Sequence, residues 1–171
     1  MRITSLILLT IAVACRATPD HPGQHNRLDF AAVDSIVLER SPCLGTCPAY
    51  RLSIASNGRV HFRSRAPSER RMATDSIAST AVTQLVREAE RIGFATLPSS
   101  ILGDPQVCGN MWTDFPSVTI SVFAGARTVA VADYLGCHGP TGQPQVAARL
   151  RRLRSFEDAI DNVARVGRWI R

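Results

Sequence analysis

The chain has 171 residues, of which 45% are hydrophobic and 20% charged, with 11 Gly and 10 Pro. This composition fits one folded domain and excludes a collagen, a coiled coil and a mostly disordered chain. The net charge is +6, and every basic residue is Arg because the chain contains no Lys. That bias is more typical of a GC-rich genome than of a surface that binds nucleic acid.

The first 14 residues have the pattern of an export signal. Arg2 supplies a positive charge, and residues 3–14 form an uncharged apolar run. The run is too short to cross a bilayer, but it has the length of the apolar part of a signal peptide. It ends in Ala12-Val13-Ala14-Cys15, which resembles the lipobox of bacterial lipoproteins.

This resemblance implies a signal peptide over residues 1–14 and a lipid-modified Cys15 that anchors the mature chain to a membrane. Because Arg16 is not Asp, it also implies sorting to the outer membrane, with the protein facing the periplasm. An ordinary secretory signal is the alternative. Residues 15–32 contain two Pro, one Gly and few apolar residues, which predicts a flexible tether before a single domain over residues 33–171.

Hydrophobic periodicity predicts strands in the first part of the domain. Residues 35–39 form a short apolar run, and the segments 50–54 and 59–63 alternate apolar and polar residues on either side of Asn57-Gly58. Because Asn-Gly tolerates the backbone angles of a tight turn, this pattern predicts a hairpin. Its inward residues would be Leu52, Ile54, Val60 and Phe62, whereas His61 would point outward.

In the rest of the domain, the residue pattern predicts a helix, a second hairpin and a last helix. The first helix would be capped by residues 74–76 and closed by Gly93, and the last would begin at Pro144. Between them, the segments 117–122 and 128–134 alternate as strands do. The predicted fold class is α+β, with an antiparallel sheet built from two hairpins and covered on one face by two amphipathic helices.

Four cysteines remain once Cys15 is assigned to the lipid: Cys43, Cys47, Cys108 and Cys137. An even number in an exported chain indicates two disulfides, with three possible connectivities. We hypothesise that the close pair, Cys43 and Cys47, forms a local loop clamp. Cys108 and Cys137, which bracket the second hairpin, would form the other bond.

The segment Arg40-Ser41-Pro42-Cys43-Leu44-Gly45-Thr46-Cys47-Pro48-Ala49-Tyr50, followed by a strand and Asn57-Gly58, resembles an uncharacterised family of bacterial exported proteins and lipoproteins. Its members carry a C-x-G-x-C-P-x-Y signature. Thr113-Asp114-Phe115-Pro116 and Ile160-Asp161 are similar to weaker signals of that family. The likeness covers residues 33–169 and implies a fold and a location, but no activity.

A second interpretation of the cysteines is a metal site. Cys43, Cys47 and His138 are similar to the ligand set of the thioredoxin-like copper chaperones, and two thiolates with an imidazole suit Cu(I). In that family, however, the motif opens a helix, whereas here a strand pattern follows it. The sequence therefore favours no metal and no cofactor, with copper as the alternative.

Two function classes remain. The first is a non-catalytic envelope lipoprotein that contacts the membrane through its anchor and binds an envelope protein or polymer, but no nucleic acid. The second is a periplasmic copper or thiol-disulfide protein that uses Cys43, Cys47 and His138. No catalytic residue is assigned, because Asp104 and Asp114 fit turn caps. We expect the arginines of the last helix to form a solvated face, with anionic lipid contact as the alternative; they are Arg149, Arg151, Arg152 and Arg154.

Overall fold

A computed structural model describes residues 28–66 and 71–170. Within these residues, the fold is a mixed α/β arrangement of a six-stranded antiparallel sheet and three α-helices. The strands are β1 (Val33–Arg40), β2 (Tyr50–Ala55), β3 (Arg59–Ser64), β4 (Met72–Ser76), β5 (Ser117–Ala124) and β6 (Arg127–Tyr134). The helices are α1 (Ser79–Arg91), α2 (Pro105–Cys108) and α3 (Pro144–Val163), and 3-10 turns lie at Phe30–Ala32, Phe94–Thr96 and Val166–Arg168. The predicted signal peptide, Cys15 and most of the predicted tether lie outside the described residues.

The sheet is larger than the predicted pair of hairpins. Its strand order is β4-β3-β2-β1-β5-β6, so β1 lies in the middle and pairs with both β2 and β5. The sixth strand, β4, pairs with β3 at one edge. A third helix, α2, is also present where the sequence indicates only a loop. Asp104 begins this helix, because its Oδ1 accepts a hydrogen bond from Gln106 N at 2.9 Å.

The register around Asn57-Gly58 places the predicted apolar residues on the core side. Leu52 lies opposite Phe62, and Ile54 lies opposite Val60. All four side chains are buried. Because strand residues alternate between the two faces of a sheet, His61 lies on the opposite side and is exposed.

The prediction that residues 74–76 cap the first helix is wrong. These residues belong to β4, and the residue before α1 is Ala78, which makes no side-chain capping bond. Two tertiary interactions outweigh the local capping preference of this segment. β4 pairs with β3 along its length, and the Asp75 carboxylate is bound by Arg165 and Arg168 beyond α3.

Helices α1 and α3 pack against the core. α1 buries Val82, Leu85 and Ala89, and Gly93 follows it with a φ of +70°, the left-handed geometry that ends helices. Phe156 of α3 packs edge-to-face on Phe94 at 6.0 Å between ring centroids. The other apolar residues that α3 buries are Leu150, Leu153 and Ile160. Each fully buried residue of this kind contributes roughly 1.5–3 kcal/mol to folding.

The packed unit begins earlier than the predicted domain boundary at residue 33. Leu28 is buried in the core, and Phe30 packs against it. The Asp29 side chain accepts a hydrogen bond from Ala31 N and begins the 3-10 turn at Phe30–Ala32. At least residues 28–32 therefore belong to the domain rather than to a tether.

No element of the described residues covers the sheet face away from α3 over β2, β3 and β4, and we call this region the open face. Its exposed side chains are Arg51, Arg59, His61, Arg63, Met72, Thr74 and Ser76, with Ser53 partly exposed between them. None of the helices in the described ranges is long and apolar enough to cross a membrane.

Candidate functional site

Both cysteine pairs lie at the same end of the sheet, where strands begin or finish. β1 ends at Arg40 and β2 begins at Tyr50, while β5 begins at Ser117 and β6 ends at Tyr134. Antiparallel pairing brings these four strand ends together. We call this end of the sheet, together with the loops 41–49, 109–116 and 135–143, the disulfide end.

Two disulfides fix the loops of the disulfide end. Cys43 is bonded to Cys47, with Cα atoms 5.6 Å apart, and Cys108 is bonded to Cys137, with Cα atoms 4.7 Å apart. The first bond closes a small ring in which Gly45 has a φ of +139°, an angle that glycine adopts without strain. The second bond is buried and joins the loops on either side of β5 and β6.

Hydrogen bonds hold these loops to one another as well. Ser41 N donates to Ser117 O at 2.9 Å, and Ser117 N donates to Ser41 Oγ at 2.7 Å. The Tyr134 hydroxyl accepts from Phe115 N at 3.2 Å and donates to Trp112 O at 3.0 Å. The backbone of the disulfide end is therefore held by contacts within the domain itself.

Large apolar side chains of these loops face solvent. Leu44 in the disulfide ring is 82% exposed, and Trp112 is 60% exposed. The Trp112 ring lies 4.3 Å from His138 and 6.1 Å from Phe115, measured between centroids. Met111 and Phe115 are exposed beside it. Together, Leu44, Met111, Trp112 and Phe115 form what we call the apolar rim.

Beneath the apolar rim, charged side chains are buried between the sheet and α3. Arg40 Nε donates to the Tyr50 hydroxyl at 2.9 Å and to Asp161 Oδ2 at 2.9 Å. Arg154 Nε donates to Asp133 Oδ2 at 2.8 Å, and its Nη2 donates to the carbonyl of Cys137 at 2.7 Å. Arg154 thus ties α3 to both β6 and the second disulfide.

Glu157 completes this buried polar cluster. It is 2% exposed, and Asp133 is 1% exposed. Glu157 Oε1 and Asp161 Oδ1 are buried without a hydrogen-bond partner among the described residues. Buried polar atoms normally have hydrogen-bond partners. Burying these two oxygens without partners therefore costs free energy.

Burial governs the ionisation of the cluster. Burial, followed by repulsion from Asp133, raises the pKa of Glu157 to about 9. Burial also raises the pKa of Asp161, an effect that Arg40 partly offsets. Burial raises the pKa of Tyr50 as well. At neutral pH, Glu157 is therefore a protonated carboxyl group that lies beside the carboxyl group of Asp133.

A protonated carboxyl can act as a general acid where a substrate reaches it. Here the carboxyls of Glu157 and Asp133 are enclosed by α3 and the sheet, so a substrate would reach them only if α3 moved away. The cluster is therefore suited to holding α3 and the disulfide end in place rather than to chemistry.

The structure does not assemble the alternative copper ligands. The sulfurs of Cys43 and Cys47 are bonded to each other, and the His138 ring packs on Trp112. Within residues 28–66 and 71–170, no group of three or more His, Cys, Asp or Glu side chains could hold a metal ion. The geometry gives the copper interpretation no support.

The other residues singled out from the sequence have structural roles. Asp114 is exposed in the loop before β5, with a φ of +69°. The expectation that Arg154 belongs to a solvated face is wrong, because it binds Asp133 and backbone carbonyls. Arg149 donates to the Thr96 carbonyl at 2.9 Å. Arg151 and Arg152 are exposed, as expected.

The buried polar cluster was not predicted, although periodicity contains part of the signal. Glu157 occupies a buried position of the apolar stripe of α3, between Leu153 and Ile160. Asp133 continues the inward series of Val129 and Val131 on β6. A charged residue on an inward position is the pattern that reveals a buried ionisable group.

Comparison with known proteins gives one family. A family model described as a domain of unknown function (DUF6438) matches residues 34–161. The matched range contains both disulfides, the apolar rim and all six residues of the buried polar cluster. No curated protein matches the chain.

Proposed function

The chain belongs to the DUF6438 family, a domain of unknown function, and from that premise we propose that it is a non-catalytic binding module of the cell envelope, anchored by a lipid on Cys15. The observation that carries the proposal is the apolar rim. Four large apolar side chains are exposed on the loops of the disulfide end: Trp112 lies beside Met111 and Phe115, and Leu44 lies in the ring that the Cys43–Cys47 bond closes. Exposed apolar residues that cluster in this way are typical of interaction sites.

The rim is suited to a protein partner. Aromatic residues and Met are enriched in protein interfaces, and Trp is prominent among the residues that dominate binding energy. The loops are already held by two disulfides and by the Tyr134 hydrogen bonds. Less conformational entropy is then lost on binding than with mobile loops. We therefore name a protein with an apolar surface patch, rather than a polymer, as the partner.

The buried polar cluster supports a non-catalytic role. Its carboxyl groups are enclosed, and its arginines join β1 and β6 to α3. Such contacts stiffen the layer directly beneath the rim. The envelope location is supported by two disulfides, which persist in oxidising compartments, and by the export signal pattern of residues 1–15.

The test is photocrosslinking in cells that produce the protein. A photoreactive residue replaces the exposed Met111, and a matched control carries it at Gln84, which is exposed on α1. We expect an adduct with a single protein from position 111 and none from position 84. Adding Trp112→Ala should abolish the adduct and raise the Kd of the purified partner at least about 30-fold, the effect of a hot-spot residue.

Three results would contradict this proposal: equal adducts from both positions, no adduct from position 111, or an adduct with a polymer instead of a protein. The Trp112→Ala chain must also keep its unfolding midpoint, so that a lost adduct is assigned to the rim and not to a lost fold.

A further inference from the structure

The open face carries an unusual pairing of like charges. Arg51 on β2 lies directly opposite Arg63 on β3, and both side chains are exposed. Like charges directly opposite in a sheet repel each other and destabilise the pair. One carboxylate lies alongside, because Glu39 on β1 is opposite Arg51 in the register.

That single carboxylate is shared. Glu39 forms ion pairs with both Arg51 and Arg65. Among the residues that the structure describes, Arg63 has no ion pair, and Asp75 on the neighbouring strand is bound by Arg165 and Arg168. The open face therefore carries an excess of positive charge that a bound anion would neutralise.

Arg51 and Arg63 line a groove of about 380 Å³ on the open face. This volume falls within the range of small-molecule sites, which is roughly 300–1,000 Å³. Ser53, His61 and Thr74 lie side by side across the three strands, one row from the arginines. They supply hydroxyl and imidazole hydrogen-bonding groups. Met72, opposite Arg63 and 77% exposed, forms an apolar wall.

We propose that this groove binds a small organic phosphate, that is, a phosphate group joined to a compact apolar moiety. Guanidinium groups bind phosphate oxygens through paired, charge-assisted hydrogen bonds. Arg51 and Arg63 hold the phosphate, and Met72 contacts the apolar moiety. The groove has the volume of a small-molecule site, which favours a single small molecule as its ligand. The site lies on a different surface from the apolar rim and does not depend on the proposed function.

The experiment is an NMR titration of the full chain carrying Cys15→Ser, so that no lipid anchor contributes. The probe is phenyl phosphate, and benzyl alcohol is the uncharged control. We expect saturable shifts of the backbone amides of β2, β3 and β4 with phenyl phosphate only. Arg63→Gln should raise the Kd at least tenfold. Glu39→Gln should lower the Kd severalfold, because it removes the carboxylate that competes for Arg51.

Arg127→Gln is the matched control, since Arg127 is exposed on β6 at the far edge of the sheet; its Kd should match that of the unsubstituted chain. The proposal is overturned if phenyl phosphate gives no saturable shifts. It is also overturned if Arg63→Gln and Arg127→Gln weaken binding equally. Arg63-dependent binding to phosphatidylglycerol vesicles without binding to phenyl phosphate would overturn it too and would assign the groove to membranes. None of these results bears on crosslinking from position 111.

Discussion

Arg40, the last residue of β1, binds Asp161 of α3 at 2.8 Å, although 121 positions separate them in the chain. Both side chains are largely buried, and the same guanidinium reaches Tyr50. This contact joins the two ends of the family-matched region, 34–161, and brings together the Tyr of the C-x-G-x-C-P-x-Y segment and the Asp of the last helix.

Removing one partner of this ion pair should strongly destabilise the fold. We expect Arg40→Met to lower the free energy of unfolding by about 3–5 kcal/mol, because Asp161 then stays buried without its cation. The double variant Arg40→Met, Asp161→Leu should recover part of the loss, since neither charge is left alone. Denaturant unfolding at pH 7 measures both. Arg59→Met, at an exposed position of β3, is the control and should change little; an Arg40 effect no larger than the Arg59 effect would contradict the assignment.

Stability should fall with rising pH because of Glu157. Its pKa is about 9 in the folded protein and 4.5 in the ordinary state, so between these values the folded chain binds a proton that the unfolded chain has lost. The free energy of unfolding then decreases as pH rises through this window. Glu157→Gln stays neutral and lacks this dependence. We expect the variant to match the natural chain near pH 5 and to exceed it in stability near pH 9.

Unfolding curves at several pH values test this expectation. Asp161 and Tyr50 titrate in both chains, so the difference between the chains isolates Glu157. Glu90→Gln, on the exposed side of α1, should show no pH-dependent difference. Parallel stability profiles for the natural chain and Glu157→Gln would exclude a raised pKa at this site.

The two disulfides should contribute unequally. In the chain-entropy model, the bond that spans 29 positions, Cys108 to Cys137, is worth about 3.5 kcal/mol, and the bond that spans 4, Cys43 to Cys47, about 2 kcal/mol. Paired Cys→Ser variants measured by denaturant unfolding give both values. A larger loss from the Cys43 and Cys47 variant would mean that the small ring supports the whole domain and not only its own loop.

Gly109 should not accept a side chain. A Cβ at this position would lie 2.2 Å from the carbonyl carbon of Gly139, where the two loops beside the second disulfide meet. Gly125 has a similar φ, +57° against +60°, but no atom within 4 Å of its Cβ position. We expect Gly109→Ala to destabilise the fold by about 1–3 kcal/mol more than Gly125→Ala, because Gly109→Ala overpacks its site and because the ψ of −122° at Gly109 strains a residue with a side chain. Equal losses in thermal or denaturant unfolding would show that the loops can separate.

The proposed lipid anchor has its own test. Cys15→Ser should release the protein from membranes into the soluble envelope fraction, since the chain would lose its acyl groups. Cell fractionation and the intact mass of the protein measure this. A natural chain that is already soluble, without added fatty-acid mass, would contradict the lipoprotein assignment while leaving the rim and groove unaffected.

The sequence predicts those parts of the fold that depend on local patterns. The alternation around Asn57-Gly58 gives the register of β2 and β3, and Gly93 marks the end of α1. β4 was not predicted, because Met72–Ser76 is short and polar and becomes a strand only by pairing with β3. Local capping preference at Asp75 therefore pointed to a helix that begins later, at Ser79.

Some features of the candidate site also have a local signal in the sequence, and others do not. The count of the cysteines predicts two disulfides and leaves three connectivities open, and their spacing favours the pairing that the structure has. The inward positions of Glu157 and Asp133 follow from periodicity. The pairing of Arg40 with Asp161 has no local signal, because it depends on where α3 crosses the sheet. Nor does the sequence show that Arg154 turns towards Asp133, since three other arginines of the same helix lie close to it in the chain.

The direction of β1 separates the apolar rim from the point where the chain enters the sheet. The chain enters β1 at Val33 and leaves it at Arg40, beside the disulfide end, and eight extended residues span about 25 Å. A domain held at its N-terminal side would therefore carry Leu44 and Trp112 a strand's length beyond its point of attachment. In the proposed lipoprotein, a partner of the rim would therefore contact the end of the domain opposite to the entry of the chain into β1.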